Sequence, residues 1–246
     1  MTMRRPRLVH LALWVFALAL TAGFATLGLW QYGRGAEKEA LLAQSERVLA
    51  ERDAVDLAAA AGEAGGDLAW ARGRGRFLDR PPVLLDNQLR DGVGGVRAYR
   101  AFQPQDGATA VLVDLGWFAL PDRSRLPEVP APDRPLDLEG LLAPPPSAGI
   151  AMGAPFEQAP GGALLALRMD MPALSEALDV PLAPRVLRPD PERAIEGLAT
   201  GTRDLMLLPN TLPPERHRGY ALQWFALAAT TLVVALVLGL RRGASR

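Results

Sequence analysis

Two long runs of apolar residues without a charged side chain lie near the two ends of this sequence. The first covers residues 8–30, LVHLALWVFALALTAGFATLGLW, and the second covers residues 220–240, YALQWFALAATTLVVALVLGL. About 20 helical residues are enough to cross the hydrocarbon core of a bilayer, which is roughly 30 Å thick. A buried core helix would be shorter and would show a polar face. The sequence therefore predicts two transmembrane helices, at residues 8–30 and 218–240.

The first run also has the features of a signal peptide that is removed after export, because the preceding MTMRRPR is positively charged. The apolar region of such a peptide usually has about 7–15 residues, and this run is longer. We therefore expect an anchor that stays in the mature chain, with cleavage as the alternative.

Arginines stand outside both apolar runs. Three lie within residues 1–7 and three lie within residues 241–246. Because positively charged flanks stay on the cytoplasmic side of a membrane, we expect both chain ends to be cytoplasmic. Residues 31–217 would then lie across the membrane, which in a bacterium makes them a periplasmic domain held at the inner membrane.

The composition excludes several classes of function. The segment between the two runs has 21 basic and 27 acidic residues, so it gives no support to nucleic-acid binding. The chain has no cysteine, which excludes disulfides, thiolate metal sites and the covalent attachment of c-type haem. A Ser-His-Asp triad would need His10 or His217, and both are associated with the predicted spans. We therefore expect a protein that is not an enzyme.

Residues 31–217 show the patterns of short strands and few helices. Apolar residues at helical spacing over 36–55 predict an extension of the first helix, and the Ala- and Gly-rich residues 58–67 predict a flexible joint. A capping aspartate followed by a proline indicates a short helix over 170–178. Strand-like segments bounded by turn signals cover 68–77, 82–88, 96–104, 109–118, 136–142, 183–189 and 202–209. The expected fold is a small β-rich α+β domain, mostly antiparallel, with its core at about 68–209.

His217 stands directly before the second run, and it is one of only two histidines in the chain. If a helix begins near Glu215, then His217, Tyr220 and Trp224 fall at i, i+3 and i+7 and share one face. The first helix carries an aromatic and basic stripe at i, i+4 and i+8, which consists of Trp30, Arg34 and Lys38. Both stripes would lie at the same depth in the membrane.

An aromatic cleft with one imidazole and two cations suits a flat apolar ring that carries acidic groups, such as haem. The imidazole of His217 would be an axial ligand of the iron, and Arg34 or Lys38 would meet the propionates. The alternative interpretation is an interfacial histidine among the aromatic and basic anchors that spanning helices commonly have. The spacing of these residues leaves both interpretations open.

Three segments resemble signatures of the Surfeit locus protein 1 family. Residues 27–31, LGLWQ, followed by an arginine and a lysine, are similar to the family's motif at the exit of the first span. Residues 111–117, VLVDLGW, resemble its Gly-Trp strand. Residues 213–225, PPERHRGYALQWF, resemble its His-x-x-Tyr-Ala segment at the start of the second span. The resemblance extends over about residues 20–235.

Members of this family are assembly factors of cytochrome c oxidase, so the resemblance implies a chaperone of the respiratory chain without catalytic activity. It implies a role around the insertion of haem a into the catalytic subunit, with that subunit, haem a synthase and membrane lipid as partners. Some members are held to bind haem a through the histidine of the second span, which here is His217. Two rival hypotheses are a scaffold that binds the oxidase subunit without haem, and a periplasmic sensor or enzyme domain with two anchors.

Overall fold

In the computed structural model the described residues are 5–63, 67–120, 125–146, 153–208 and 211–244. The chain forms two compact units, a helical unit of Met1–Ala43 with Thr211–Arg246 and a β-sheet unit of Gln44–Asn210. Two long apolar helices thus flank a mixed β-sheet domain, as the sequence predicted. The first four and the last two residues of the predicted cytoplasmic ends lie outside the described ranges.

Two long helices contain the predicted spans: α1 covers Arg5–Glu51 and α4 covers Pro214–Ala244. Within the described part of the chain, these are the two helices that are long and apolar enough to cross a membrane. α1 continues without a break beyond the first apolar run. It ends before Arg52, whose φ of 50° is left-handed, so the predicted extension over 36–55 is four residues too long.

α1 and α4 approach each other closely at two glycines, Gly28 of α1 and Gly239 of α4. A Cβ atom added to Gly28 would lie 2.6 Å from Cε1 of Phe225, and one added to Gly239 would lie 2.7 Å from Cζ2 of Trp14. Because lipid is as apolar as these side chains, helices in a membrane associate through such close van der Waals contacts. Each glycine therefore makes room for a ring of the opposite, antiparallel helix.

Nine strands form one sheet in the described part of the β-sheet unit. They are β1 Ala54–Asp56, β2 Ala69–Phe77, β3 Val83–Arg90, β4 Val93–Pro104, β5 Ala110–Ala119, β6 Leu136–Ala143, β7 Phe156–Gln158, β8 Leu164–Ala166 and β9 Leu182–Pro189. Their order is β1-β2-β6-β9-β5-β4-β3-β8-β7, and a further pairing of β2 with β4 closes five of them into a ring. The pairs β1–β2, β3–β8 and β5–β9 are parallel and the others are antiparallel, so the sheet is mixed.

Both faces of β5 are buried, and its side chains alternate between two apolar cores. Val111 packs in one core with Leu57 of helix α2, which covers Leu57–Ala61. Leu112 packs in the other core with Leu174 of helix α3, which covers Met171–Leu178. A strand that is buried on both faces has a continuous apolar sequence, which explains the run AVLV at the start of β5.

The predicted flexible joint at 58–67 is wrong over its first four residues, which belong to α2. The carboxylate of Asp56 caps this helix by accepting a hydrogen bond from the N–H of Ala59, at 2.9 Å. Ala60 and Ala61 are buried against the sheet, where a small side chain allows a close approach of the helix. Residues 64–66 of the predicted joint lie outside the described residues.

The predicted strand at 202–209 is also wrong for the residues that the structure describes, because Thr202 alone forms a β-bridge, with Trp117. Gly116 has a φ of 97°, and a Cβ atom there would lie 2.8 Å from the carbonyl oxygen of Thr202. The Gly-Trp motif therefore needs its glycine for a close backbone contact with this segment. The three-residue strands β7 and β8 have no counterpart in the prediction.

Candidate functional site

One face of α4 is turned towards α1 near the start of α4. It consists of His217, Ala221, Trp224 and Ala228, at i, i+4, i+7 and i+11. His217 and the two alanines are buried, and Trp224 is half-buried. These spacings place all four side chains on one side of a helix with 3.6 residues per turn.

The facing stripe of α1 consists of Gly28, Gln31, Gly35 and Lys38, at i, i+3, i+7 and i+10. The two glycines are buried, and Gln31 and Lys38 are half-buried. A Cβ atom added to Gly35 would lie 3.4 Å from Cβ of His217, at van der Waals contact. His217 thus lies against α1 at Gln31 and, one turn further on, at Gly35.

Among the residues that the structure describes, the imidazole of His217 has a hydrogen-bond partner for one of its nitrogens and none for the other. The side chain is buried, and Nδ1 lies 2.7 Å from Oε1 of Gln31. An amide oxygen only accepts hydrogen bonds, so this contact favours a proton on Nδ1, which leaves the lone pair of a neutral ring on Nε2. Nε2 is buried without a hydrogen-bond partner among the described residues. A neutral imidazole nitrogen with a free lone pair can coordinate a metal ion, which makes this ring a candidate ligand.

Two basic side chains, Lys38 and Arg34, interact electrostatically with His217. Both have partners within the helical unit. Nζ of Lys38 donates a hydrogen bond to the carbonyl oxygen of Leu212, at 2.6 Å, just before α4 begins. Arg34 pairs with Glu37 at 2.6 Å, and both side chains are exposed. A surface pair at this spacing contributes about 0.2–0.5 kcal/mol. Arg34 can therefore change its partner at small cost, whereas Lys38 also holds the start of α4.

The aromatic side chains of the predicted site divide between the helix contact and the outer surface. Trp224 stacks on Phe24 of α1, with ring centroids 5.8 Å apart and planes inclined by 25°. Trp30 and Tyr220 are 57% and 42% exposed, and Tyr32 is exposed as well. Exposed amphipathic rings at one end of a pair of apolar helices are typical of a membrane interface.

The structure therefore brings three of the six predicted site residues to the helix contact: His217, Lys38 and Trp224. The other three lie beside this face or on the outside: Trp30, Arg34 and Tyr220. The reason is the phase of α1. Each residue turns the helix by about 100°, so Arg34 lies about 60° from Gln31, and Trp30 about 100°.

Gln31 is the residue of this arrangement that the sequence-based prediction missed. It lies in the LGLWQ segment, which on its own indicates a resemblance to a family motif and gives no role to Gln31. The available signal was its spacing: Gln31 is in phase with Gly28, Gly35 and Lys38, and close helix contacts in membranes concentrate at small residues. The positions of the glycines thus predict which face of α1 contacts α4 better than the positions of the aromatic residues do.

The two histidines cannot share a metal ion. His10 lines an apolar cleft of about 540 Å³ towards the other end of the two helices. It lies 21 positions before Gln31 on α1, which corresponds to about 32 Å of helix. In the described ranges, no three His, Asp or Glu side chains come together in a way that could hold a metal ion. A metal at Nε2 of His217 must therefore bring other ligands with it, as the iron of a macrocycle does.

Fold and site together define a protein in which two candidate membrane helices flank a mixed β-sheet domain, with a histidine contact between the helices. The family model described as the SURF1 family matches residues 18–229, and the chain belongs to that family. This match confirms the resemblance of the three sequence segments. The SURF1 family is known for cytochrome oxidase assembly. A search of curated proteins gave no match to the chain.

Proposed function

We propose that this chain is an assembly factor of cytochrome c oxidase that binds haem a through His217 and assists its insertion into the catalytic subunit. The observation that carries the proposal is the buried Nε2 of His217, which has no hydrogen-bond partner in the part of the chain that the structure describes, in a ring whose Nδ1 is held by Gln31. Membership of a family known for oxidase assembly supports the same role.

The side chains near His217 suit the chemistry of haem. When bound, haem a would supply an iron that an imidazole nitrogen can coordinate. His217 would give Nε2 to the iron, and Lys38 and Arg34 would meet the propionates through charge-assisted hydrogen bonds. The apolar ring would lie against the aromatic side chains of this level, which are Trp30, Tyr220 and Trp224.

Binding through Nε2 requires a local movement, because this atom is buried between the helices. Arg34 contributes little to the closed arrangement, since its pair with Glu37 is exposed. The hydrogen bond from Lys38 to Leu212 is the stronger restraint, because it holds the start of α4. A site that opens to take up its ligand also opens to release it, which suits a carrier.

We also propose that the chain is a protein of the bacterial inner membrane with both ends in the cytoplasm and the β-sheet domain in the periplasm. The arginines beyond the two apolar runs support this orientation. The exposed rings of Trp30, Tyr32 and Tyr220 support a membrane interface at the other end of the helices. The catalytic subunit and haem a synthase are the proposed partners, since the first receives haem a and the second produces it.

The absorption spectrum of the full-length protein, purified in detergent, tests haem binding directly. We expect a haem a spectrum when the host makes haem a and none when it does not. The variant His217→Ala should lose this spectrum. The matched control is His10→Ala, which removes the other histidine and should keep it. A colourless wild-type protein from a host that makes haem a would refute the carrier function.

The alternative function is a scaffold that binds the oxidase subunit without haem. One observation favours it: the β-sheet unit has a cleft of about 170 Å³ lined in part by Trp117, Arg97 and Asp204. A scaffold predicts that His217→Ala still co-purifies with the catalytic subunit, whereas Trp117→Ala does not. The carrier function predicts the haem spectrum to be lost with His217→Ala.

A further inference from the structure

We infer that Gln31 is a positioning residue that holds His217 in the tautomer with its proton on Nδ1, and so leaves Nε2 as the nitrogen that can bind a metal. The tautomer follows from the contacts of this chain alone. The identity of the ligand, haem a, depends on the function proposed above.

The first step is the geometry of the hydrogen bond. Nδ1 of His217 and Oε1 of Gln31 are 2.7 Å apart. In the opposite tautomer both atoms would carry lone pairs at this distance and would repel each other. With the amide oxygen of Gln31 facing the ring, the contact requires a proton on Nδ1.

The second step concerns the other nitrogen. Nε2 of His217 is buried and has no hydrogen-bond partner in the described part of the chain. A proton on Nε2 would thus be a buried donor without an acceptor, which proteins avoid. A lone pair on Nε2 is unsatisfied as well, but it is the form that can bind a metal ion, so Nε2 is compatible with the tautomer that the contact of Nδ1 selects.

The third step is the way in which the ring is held. Gln31 and Gly35 are one turn apart on α1, and Gly35 lets the backbone of α1 approach Cβ of His217. The ring is fixed by a hydrogen bond on one side and by close packing at its Cβ atom. Histidines that bind metals usually donate their other N–H to such a partner, which sets the tautomer and raises the basicity of the ligand.

The tautomer is measured by nitrogen NMR of the ligand-free, full-length protein in detergent, labelled in its two histidines. His10→Gln removes the second signal and assigns the first. We expect Nδ1 of His217 to be protonated and Nε2 to be unprotonated in the wild type. Gln31→Met, which keeps the length of the side chain without the acceptor, should give a mixture of tautomers. Gln31→Glu keeps an acceptor oxygen and should preserve the wild-type state.

Gln223→Met is the matched control, because it makes the same change at an exposed position of α4. It should leave the tautomer of His217 unchanged. Finding the proton on Nε2 in the wild type would overturn the inference even if Gln31→Met did not fold. An unchanged tautomer in a folded Gln31→Met protein would also overturn it.

Haem binding gives a separate measurement. The affinity of the folded Gln31→Met protein for haem a should fall by about 10–100-fold, as for other partners of metal-binding histidines. Gln31→Glu should bind nearly as well, with a lower midpoint potential, because a charged partner makes the imidazole more basic. Absence of haem binding by a wild-type protein with the expected tautomer would refute the proposed function and leave the role of Gln31 in the tautomer intact. An unchanged affinity in Gln31→Met would refute its role towards the ligand.

Discussion

The helical unit and the β-sheet unit place their polar side chains in opposite ways. Along much of the hairpin, α1 and α4 meet through glycines and rings, as at Gly28 with Phe225 and in the stacked pair of Phe24 and Trp224. The polar contacts of α1 with His217 and Arg218 of α4, and that of Lys38 with Leu212 just before α4, lie at one end of the hairpin. The polar end of the hairpin is therefore set apart from its apolar length.

The β-sheet unit instead buries charged side chains within its cores. Among its described residues are four buried arginines: Arg97, Arg100, Arg185 and Arg188. Arg185 donates hydrogen bonds to the carbonyl oxygens of Ala60 and Leu142, at 3.1 and 3.2 Å, and so ties α2 to β6. Arg97 forms an ion pair of 2.7 Å with Asp114. These arginines hold irregular segments and neighbouring strands together.

The difference follows from the solvent of each region. In water, the burial of apolar surface stabilises a domain strongly enough to retain some buried charge, provided that each charge is paired. Lipid gives no such driving force between helices, so their contact depends on close packing. A buried polar group between apolar helices is therefore costly, and Nε2 of His217, which has no hydrogen-bond partner among the described residues, is such a group. The buried arginines of the β-sheet unit are better explained by the hydrogen bonds and ion pairs through which they stabilise the fold.

The largest expected effect on stability comes from a variant that tests whether these arginines stabilise the β-sheet unit. Arg97→Met removes the partner of two carboxylates, Asp114 and Asp204, which lie 2.7 and 2.8 Å from its guanidinium nitrogens. Breaking a buried ion pair on one side typically costs about 3–5 kcal/mol, because the remaining charge is left uncompensated. Pulse proteolysis of the full-length protein in urea should show this loss in the stability of the β-sheet unit.

Two further variants sharpen this measurement. Arg74→Met makes the same change in an exposed pair with Asp137, so it should alter the stability by less than about 1 kcal/mol. Arg97→Met combined with Asp114→Asn should recover part of the loss, since one of the uncompensated charges is removed. Equal stabilities of the Arg97 and Arg74 variants would show that buried charge does not organise this unit.

A smaller effect is expected from the packing of the hairpin. Gly28→Leu places a side chain where Cβ alone would meet the ring of Phe225, whereas Gly23→Leu on the same helix points into open space. Overpacking of this kind costs about 1–3 kcal/mol. Resistance of the helical unit to unfolding by SDS should fall in Gly28→Leu and stay unchanged in Gly23→Leu. If both variants resist SDS equally, close glycine contacts do not hold the helices together.

The contrast between the helical unit and the β-sheet unit also explains which elements could be predicted from the sequence. Long patterns were sufficient for the helices, because a run such as residues 8–30 has few other interpretations. The strands β2 to β6 and β9 also lie on segments predicted as strands, since turn signals and β-branched or aromatic residues mark them. The five-residue α2 and the three-residue β7 and β8 are too short for a period to appear. Their positions depend on tertiary burial, as Ala60 and Ala61 show.

The candidate site could be predicted only in part for a related reason. His217 and Lys38 stand out as polar residues beside apolar runs, and the resemblance to a family motif drew attention to them. The role of Gln31 depends on which face of α1 meets α4, and one helix alone does not determine that face. The buried state of Nε2 in His217 is likewise a property of two helices in contact.

The smallest expected effect is a dependence of stability on pH that belongs to the β-sheet unit alone. Burial raises the pKa of Asp204, but the charge of Arg97 and the hydrogen bond from Arg90 outweigh it, so this pKa lies below its ordinary value of about 3.9. The unfolded chain then binds more protons than the folded one as the solution is acidified. The stabilisation from Asp204 is therefore present above about pH 4 and is lost as the pH falls through the folded pKa.

Asp204→Asn should be less stable than the wild type at pH 7, and the difference should shrink in acid. Asp137→Asn is an exposed control and should follow the wild-type profile. Parallel profiles for the wild type and Asp204→Asn would mean that Arg97 and Arg90 stabilise this unit without depending on the charge of Asp204.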